Sequence, residues 1–181
     1  ENYLNILVLG GSQAAKIFAE ILPDIFIQCK KNNINFKIYQ QCLDNQILDL
    51  KKKYQSNKIE NELFSFTFDI IKYYNLSNLV ITRAGSSALA EFLNSKIPII
   101  SIPLATSSEN HQIKNAKYFM NKGFGIMVEE KDLKTKLFNL LQSIDKDKSI
   151  LNEIKVNQKK HSDKKVFINI KKEIIKLFYE N

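Results

Sequence analysis

The sequence predicts an α/β fold, a doubly wound parallel sheet with extra helices at its C-terminal end. Short apolar segments alternate with segments of helical periodicity from residue 5 to residue 128. Two of the apolar segments end in turns that contain glycine and lead directly into a helix. From Glu130 onward only helical periodicity remains. Strands that alternate with helices are typical of a parallel sheet covered on both faces.

The predicted strands are short apolar runs, rich in β-branched and aromatic residues, at 5–9, 35–41, 62–66, 79–82, 98–102 and 125–128. The predicted helices carry apolar residues three and four positions apart, at 14–31, 44–54, 69–74, 86–94, 110–121, 133–144, 150–160 and 166–179. Pro23 lies inside the first helix, where we expect a kink or a break because proline lacks an amide N–H.

Length and composition fit one α/β domain or a part of a larger enzyme, with 181 residues, 44% of them apolar and 25% charged. No apolar run reaches the roughly 18 residues that a membrane-spanning helix needs. The first eight residues lack the pattern of a signal peptide, and because the chain does not begin with Met we expect its natural start upstream. Cys29 and Cys42 show neither metal-ligand spacing nor a disulfide framework, as expected of reduced residues in a cytosolic protein.

The net charge of +8 allows three interpretations: a uniformly basic surface, a face that rests near anionic lipid, or a nucleic-acid partner. Nearly all the cations are lysines, and Arg83 is the single arginine. Neither clustered arginines nor interleaved aromatic and basic residues are present. We therefore predict no nucleic-acid partner.

The first glycine turn contains Gly10, Gly11, Ser12 and Gln13. Glycine allows the backbone to approach a ligand closely, and the free N–H groups at the start of a helix attract an anion. Ser12 could cap the helix and donate to that anion. The turn lacks the spacing of a dinucleotide site and the lysine of a P-loop, so a purely structural turn fits it equally well.

The second glycine turn follows the predicted strand at 79–82. Gly85 would permit a sharp turn, after which the N–H groups of residues 86–88 would face the carboxyl edge of the sheet. Such a turn can hold a pyrophosphate without a metal. Glu91, about one turn into the helix, could accept hydrogen bonds from ribose hydroxyls. Alternatively, Glu91 complements the helix dipole or pairs with Arg83.

A third polar segment follows the strand at 98–102 and brings His111, Gln112 and Asn115 to the opening of a helix. These side chains supply the neutral donors and acceptors that suit sugar hydroxyls. His111 could also serve as a general base or a metal ligand. No second His or Cys lies near it in the sequence, and His161 sits in a charged run, so we predict neither a metal nor a cofactor.

In their order and spacing these segments resemble the MurG family of glycosyltransferases, which add N-acetylglucosamine to lipid I in bacterial peptidoglycan synthesis. The residues that carry the resemblance are Gly10-Gly11-Ser12-Gln13, the turn from Phe66 to Asp69, Arg83-Ala84-Gly85 with Glu91, Pro98, Pro103, and His111-Gln112 with Asn115-Ala116. Each motif is modest alone, but the ordered set is specific and extends over residues 4 to 130.

The resemblance implies a two-domain enzyme of the GT-B architecture, of which this chain is the C-terminal half. Residues 1–160 would form a Rossmann-like domain that binds UDP-N-acetylglucosamine, and residues 161–181 a helix that packs on an N-terminal acceptor domain. The whole enzyme would be an inverting hexosyltransferase that converts lipid I to lipid II for cell wall synthesis, cell shape and cell division. It would be cytoplasmic and peripheral on the inner face of the cell membrane. The catalytic base is implied in the N-terminal half, so we expect this chain alone to be inactive.

The resemblance also implies roles for individual residues. Backbone groups near Thr67 would bind the uracil, residues 86–88 the diphosphate, Glu91 the ribose, and His111 with Gln112 the sugar hydroxyls. Ser12 would lie near the donor at the cleft between the domains. The complete set of expected donor-binding residues is Ser12, Gln13, Thr67, Arg83, Gly85, Ser86, Ser87, Ala88, Leu89, Glu91, His111, Gln112 and Asn115.

Several residues depart from the family pattern. Ala14 or Ala15 stands where the family usually has Gly, Gln40-Gln41 where a His-Gln pair is common, Ala88 near a usual Thr, and Phe68 at a commonly acidic position. The missing hydroxyl at Ala88 removes one expected phosphate contact, which leaves that role to backbone N–H groups. The segment Asp145-Lys146-Asp147 formally matches the DxD motif that binds metal in some glycosyltransferases, but we interpret it as solvated surface.

Three alternatives stay open. The chain could belong to another GT-B enzyme that uses a UDP-sugar, either an epimerase or a different transferase. It could be the donor subunit of a split glycosyltransferase, like the eukaryotic dolichol-linked chitobiose synthase. The non-enzyme alternative is a domain that senses nucleotides or binds nucleic acid.

Overall fold

A computed structural model describes residues 3–104, 110–161 and 163–179. The side chains of residues 11–15, 163–167 and 179 lie outside this description.

Six strands in the described residues form one sheet, in the order β3-β2-β1-β4-β5-β6. They are β1 Leu4–Leu9, β2 Phe36–Gln41, β3 Glu60–Phe64, β4 Leu79–Thr82, β5 Ile99–Ser101 and β6 Gly125–Met127. All neighbouring strands are parallel. The strand order reverses between β1 and β4, which is the arrangement of a doubly wound sheet. The predicted fold class is confirmed.

The predicted helices are all present, and a short 3₁₀ helix at Glu130–Asp132 precedes the sixth of them. They are α1 Gly11–Lys31, α2 Asp44–Ser56, α3 Ile70–Leu76, α4 Ser86–Ser95, α5 His111–Asn121, α6 Leu133–Lys146, α7 Ser149–Lys160 and α8 Asp163–Tyr179. The largest shifts are at the starts of α1 and α8, which begin at Gly11 and Asp163 instead of 14 and 166.

Helix α1 continues through Pro23, so of the two expected outcomes, a kink or a break, the break does not occur. Proline inside a helix costs about 3 kcal/mol or more, because it removes one hydrogen bond and crowds the preceding turn. Phe18, Leu22 and Phe26, on either side of Pro23, are fully buried in the core. Burial of each is worth roughly 1.5–3 kcal/mol, so together they outweigh the cost of the proline.

Apolar side chains cover both faces of the sheet. Successive residues of a strand point to opposite faces, and in β1 the Ile6 side chain joins one buried cluster while Leu7 joins the other. The first cluster packs the sheet against α1, α2 and α6, and the second packs it against α3, α4 and α5. Helices therefore enclose the sheet in the way that its continuous apolar strands predict.

Helix α7 is held to the sheet by a buried glutamine. The Nε2 atom of Gln158 donates to the carbonyl oxygens of Ile97 and Phe124, each at 2.9 Å. Ile97 lies two residues before β5 and Phe124 one residue before β6, so the bonds fix α7 at the amino edge of the sheet. The backbone carbonyl of Gln158 in turn accepts a hydrogen bond from Lys96.

Helix α8 differs from α7 because its described side chains, residues 168–178, are all exposed. Six of them are large and apolar: Ile168, Ile170, Ile174, Ile175, Leu177 and Phe178. None of the described helices is both long enough and apolar enough to cross a lipid bilayer.

Both cysteines are free and buried. Burial raises the pKa of the Cys29 thiol to about 12 and that of the Cys42 thiol to about 11. Neither thiol is therefore ionised near neutral pH in the folded chain, and the thiolate is the reactive form.

We predict that the folded chain reacts slowly with a thiol reagent such as Ellman's reagent at about pH 8, because both thiols stay protonated and inaccessible. Unfolding in guanidinium should return both pKa values to about 8.5 and make two thiols react rapidly. The release of the coloured thiolate, followed with and without denaturant, measures both rates. Rapid labelling of the folded chain would contradict the burial of these residues.

Candidate functional site

The candidate site lies at the carboxyl edge of the sheet, where the strand order reverses. Leu9 at the end of β1 is paired with Thr82 at the end of β4. The glycine turn into α1 and the glycine turn into α4 therefore leave the sheet side by side. In doubly wound folds this crevice is the usual place of ligand binding.

The first turn of α4 has open N–H groups. The N-terminal cap is Gly85, and among the described residues no side chain caps the helix. The first intrahelical bond runs from the Leu89 N–H to the Gly85 carbonyl at 3.0 Å. The N–H groups of Ser86, Ser87 and Ala88 precede it and have no partner within the helix, so they can bind an anion.

Gly85 is not required by the conformation of this turn. Its φ of −68° and ψ of 138° are accessible to any residue, so the turn does not depend on the conformational freedom of glycine. A Cβ atom built at Gly85 would meet no other atom within 4 Å. The glycine therefore leaves open space beside the first turn of α4, where a ligand would approach.

Leu89 belongs to the core rather than to this open turn. Its side chain is buried in the second cluster, and its N–H is used in the helix. It offers neither group to a ligand, although it was among the expected contacts.

The turn into α1 also lacks a side-chain cap. Helix α1 begins at Gly11 and its N-terminal cap is Gly10, so the cap is not Ser12. Ser12 and Gln13 fall in the first turn of α1, and their side chains lie outside the described residues. The backbone arrangement nevertheless places a second helix start next to that of α4.

Arg83, which precedes the α4 turn, is buried and engaged. Its side chain is 8% exposed, and Nη1 donates to the carbonyl of Ile102 and to Oε2 of Glu130, both at 3.2 Å. Nη2 lies 3.4 Å from Oε1 of Glu130, and the guanidinium carbon lies 5.0 Å from the ring centre of Phe18. Arg83 therefore pairs with Glu130 and not with Glu91, which rules out one of the alternatives for Glu91.

Glu91 is exposed on α4, close to Tyr74 of α3. Burial raises the pKa of the Tyr74 hydroxyl, and a hydrogen bond to the Glu91 carboxylate raises it further. Glu91 lies beyond the first turn of α4, where interaction with the helix dipole is weak. A carboxylate has about four acceptor positions, so Glu91 can accept from Tyr74 and from ligand hydroxyls together.

Helix α5 contributes polar side chains that hold neighbouring loops. Oε1 of Gln112 accepts from the Leu104 N–H at 3.0 Å, and Nδ2 of Asn115 donates to the Ala84 carbonyl at 3.1 Å. His111 is exposed at the start of the helix. Residues 105–109 of the predicted polar loop lie outside the described residues. Gln112 thus bonds to the backbone just before the loop at 105–109, and Asn115 bonds to the backbone just before the turn into α4.

The loop between β3 and α3 contains Thr67, whose Oγ1 accepts from the Asp69 N–H at 3.0 Å. The Asp69 carboxylate caps α3 by accepting from the Lys72 N–H. Phe66 and Phe68 flank Thr67 and are 69% and 98% exposed, with ring centres 4.8 Å apart in an edge-to-face pair. Their side chains were not among the expected contacts. Two phenylalanines so close together in one polar loop are the feature of the sequence that could have drawn attention to these side chains.

Gln40 points into the core rather than into the site. Its Oε1 accepts from the Tyr54 hydroxyl at 2.6 Å, and it is fully buried. Its neighbour Gln41 donates to the Ser65 carbonyl in the loop that carries Phe66. Among the described residues Nε2 of Gln40 has no hydrogen-bond partner. The departure at Gln40 therefore lies in the core between β2 and α2, away from the candidate site.

The Asp145-Lys146-Asp147 segment lies where α6 ends and α7 begins. Asp145 pairs with Lys148 at 3.1 Å, and Asp147 accepts from the Ser149 N–H at 2.9 Å. Within the ranges that the structure describes, no cluster of three or more His, Cys, Asp or Glu residues could hold a metal ion. Both carboxylates thus have local structural contacts.

Comparison with known proteins identifies the family. Residues 5–174 match the glycosyltransferase family 28 C-terminal domain. The chain belongs to this family. The resemblance that the ordered motifs indicate is therefore confirmed.

Family 28 relatives match the chain over nearly its full length. The chain is 37% identical, over 180 residues, to the UDP-N-acetylglucosamine--N-acetylmuramyl-(pentapeptide) pyrophosphoryl-undecaprenol N-acetylglucosamine transferase of Pelagibacter ubique, covering 98% of this chain and 50% of the relative. The protein of the same name from Wolbachia pipientis of Culex pipiens is 33% identical over 164 residues, covering 86% of this chain and 47% of the relative. The chain thus spans about half the length of these relatives.

A solved family 28 structure supports the same assignment. The crystal structure of MurG from Acinetobacter baumannii superposes with a TM-score of 0.77 at 26% identity, covering 88% of this chain and 48% of that one. The six-stranded sheet and its helices are therefore those of a GT-B C-terminal half.

Proposed function

We propose that this chain is the donor-binding half of an inverting N-acetylglucosaminyltransferase that converts lipid I to lipid II in peptidoglycan synthesis. The observation that carries the proposal is the open first turn of α4, beside the start of α1, at the strand reversal of a family 28 domain. The relatives that carry this domain are named for transfer of N-acetylglucosamine. We propose UDP-N-acetylglucosamine as the donor.

The diphosphate of the donor would lie over the first turn of α4. The N–H groups of residues 86–88 and the positive end of the helix dipole favour a negative charge there. Because Ala88 has no hydroxyl, its contribution would come from its N–H group. The charge that develops on UDP as it leaves would be stabilised by the same groups, which do not have to reorganise during the reaction.

The nucleoside would extend from α4 toward the β3–α3 loop. Glu91 would accept hydrogen bonds from the ribose hydroxyls, next to the Tyr74 hydroxyl. Backbone groups near Thr67 would bind the polar edge of the uracil. The exposed rings of Phe66 and Phe68 provide apolar faces beside it, and aromatic rings stack favourably on bases.

The sugar would face α5 and the start of α1. We assign its hydroxyls to His111, Gln112 and Asn115, with Ser12 and Gln13 near the donor. Gln112 and Asn115 each make a backbone hydrogen bond that holds a neighbouring loop or turn, and an amide side chain carries two donor hydrogens and an acceptor oxygen in all. These two residues could therefore hold the site and contact the sugar together.

In the whole enzyme, the acceptor hydroxyl of lipid I would attack the anomeric carbon after a base in the N-terminal half removes its proton. The half described here would orient the anomeric carbon and stabilise the leaving UDP. We propose that the enzyme is cytoplasmic and peripheral on the inner face of the membrane. The net charge of +8 suits attraction to anionic lipid.

We further propose that residues 1–160 form the donor domain and that the helix within residues 161–181 packs on the N-terminal acceptor domain. Helix α8 exposes six large apolar side chains, whereas α7 is tied to the sheet through Gln158. An apolar helical face with no cover within its own domain suits a second domain.

The proposed donor predicts a ranking of nucleotide sugars. UDP-N-acetylglucosamine should bind at least about tenfold more tightly than UDP-glucose or ADP-glucose, since each lost hydrogen-bonding group costs about 1 kcal/mol or more. Isothermal titration calorimetry on the 181-residue chain measures the three dissociation constants. Equal affinities would remove the specificity, and tighter binding of another UDP-sugar would indicate a different GT-B enzyme.

Replacement of Glu91 should weaken the binding of UDP. We expect Glu91→Ala to cost about 1–3 kcal/mol, the scale of hydrogen bonds to a charged group. Glu153→Ala, an exposed carboxylate on α7, is the matched control and should leave the affinity unchanged. Tyr74→Phe keeps the carboxylate and removes its protein partner, so an equal loss in that variant would attribute the effect to Tyr74. An unchanged affinity in Glu91→Ala would exclude Glu91 from the site.

A charged substitution on the apolar face of α8 should leave the stability of this chain unchanged and weaken its binding to an N-terminal domain. Ile174→Glu should change the free energy of unfolding of this chain by no more than about 0.5 kcal/mol, because the side chain is exposed. The same change should abolish binding to a purified N-terminal half of the Pelagibacter relative, whereas Lys172→Glu should not. Urea denaturation and calorimetry give the two readouts. A large loss of stability would show that α8 packs on its own domain.

A further inference from the structure

We propose that Glu130 is a positioning residue for the donor diphosphate, acting through Arg83 on the turn that begins α4. The inference rests on the proposed function, because it concerns the same anion site. It changes the role expected of Arg83, from a direct contact to a group that holds the backbone. Glu130 itself was not among the expected site residues.

The ion pair joins elements that are far apart in the sequence. Arg83 follows β4, and Glu130 begins the 3₁₀ helix after β6, so the pair spans the carboxyl ends of three neighbouring strands. Two N–H···O contacts of 3.2 and 3.4 Å connect the two side chains, and a third bond joins Arg83 to the Ile102 carbonyl at the end of β5. The guanidinium is thus fixed at several points and cannot move without breaking them.

The next residue is held from the opposite face of the sheet. Phe18, which lies under the Arg83 guanidinium, belongs to the first buried cluster, whereas Ala84 and Ala116 belong to the second. The Ala84 carbonyl accepts from Asn115 on the same helix as Ala116. Residues 83 and 84, immediately before Gly85, therefore make contacts on both faces of the sheet.

The α4 turn needs such external support. Gly85 has no side chain, no side chain in the described part of the chain caps α4, and Ser86 and Ser87 are exposed. Hydrogen bonds weaken steeply when their angle or length departs from the optimum. Small displacements of this turn would therefore weaken several N–H···phosphate bonds together, and binding groups are precise only when neighbouring contacts hold them.

The charge of Arg83 distinguishes this role from direct contact. Arg83 is the single arginine of the chain, and Glu130 neutralises it. If Arg83 instead contacted the diphosphate, removal of the Glu130 charge would release a cation toward the ligand and strengthen binding. If Glu130 positions the turn, the same removal would weaken binding. The two roles thus predict opposite signs for one substitution.

The test is the affinity of UDP for Glu130→Gln, which keeps the shape of the side chain and removes its charge. We expect a loss of about 3- to 30-fold, the range seen for residues that act through others. The matched control is Asp132→Asn, which neutralises a carboxylate in the same 3₁₀ helix whose partner is the exposed Lys136. This control should bind UDP as the unmodified chain does. Circular dichroism selects a temperature at which every variant is folded.

A double-variant cycle tests that Glu130 acts through Arg83. Arg83→Met removes the guanidinium and keeps an apolar stem over Phe18. In that background Glu130→Gln should have no further effect on UDP affinity, whereas independent effects would add. Thermal unfolding of each variant, measured beside the affinity, shows whether a general loss of packing accompanies the change in UDP binding. Should Arg83→Met fail to fold, the single Glu130→Gln variant still shows whether UDP binds more weakly or more tightly.

The outcomes separate this inference from the proposed function. If the unmodified chain binds neither UDP nor UDP-N-acetylglucosamine, the proposed function fails, and the inference fails with it. If the unmodified chain binds UDP and Glu130→Gln binds equally or more tightly, the positioning role alone is overturned. Weaker binding in Glu130→Gln, with unchanged binding in Asp132→Asn, supports it.

Discussion

The pairing of β1 with β4 at the centre of the sheet is the constraint on which the candidate site depends. The register that places Leu9 opposite Thr82 also places the starts of α1 and α4 next to each other. The N-terminal caps of both helices are glycines, and no described side chain caps either start, so the first N–H groups of both helices lie at the same edge. The partial positive charge at this edge thus comes from two helix N-termini rather than from a cluster of ionisable side chains.

The polar side chains near this edge mainly secure the backbone that carries those donors. Arg83, Gln112 and Asn115 all bond to carbonyl or N–H groups of the loops that follow β4 and β5. An ion pair that is mostly buried contributes little net stability, because desolvation offsets its attraction. The Arg83–Glu130 pair is therefore better understood as a device that fixes geometry than as a source of folding energy.

The sequence was sufficient for the fold because its apolar periodicity is strong and its turns are marked by glycine. It did not decide between a kink and a break at Pro23, where the helix continues because Phe18 and Phe26 are buried in the core. The same limit applied to the site. The spacing around Gly85 predicts an open helix start, but the contact between Arg83 and Glu130 joins residues 47 positions apart and leaves no local pattern. The exposure of Phe68 depends on the tertiary contacts available to the β3–α3 loop, which the sequence alone does not specify.

The exposed apolar face of α8 contributes little to the free energy of unfolding of this chain, and its burial would contribute to the free energy of association with a partner. Burial of a single leucine or isoleucine side chain is worth roughly 1.5–3 kcal/mol, and α8 carries six large apolar side chains in contact with solvent. An unfolding experiment on this chain therefore records the cohesion of the sheet and its enclosing helices without the contribution of that face. In any assembly that covers α8, the free energy of burying these side chains would appear as affinity between this half and its partner. The affinity within the assembly therefore cannot be inferred from the free energy of unfolding of this half.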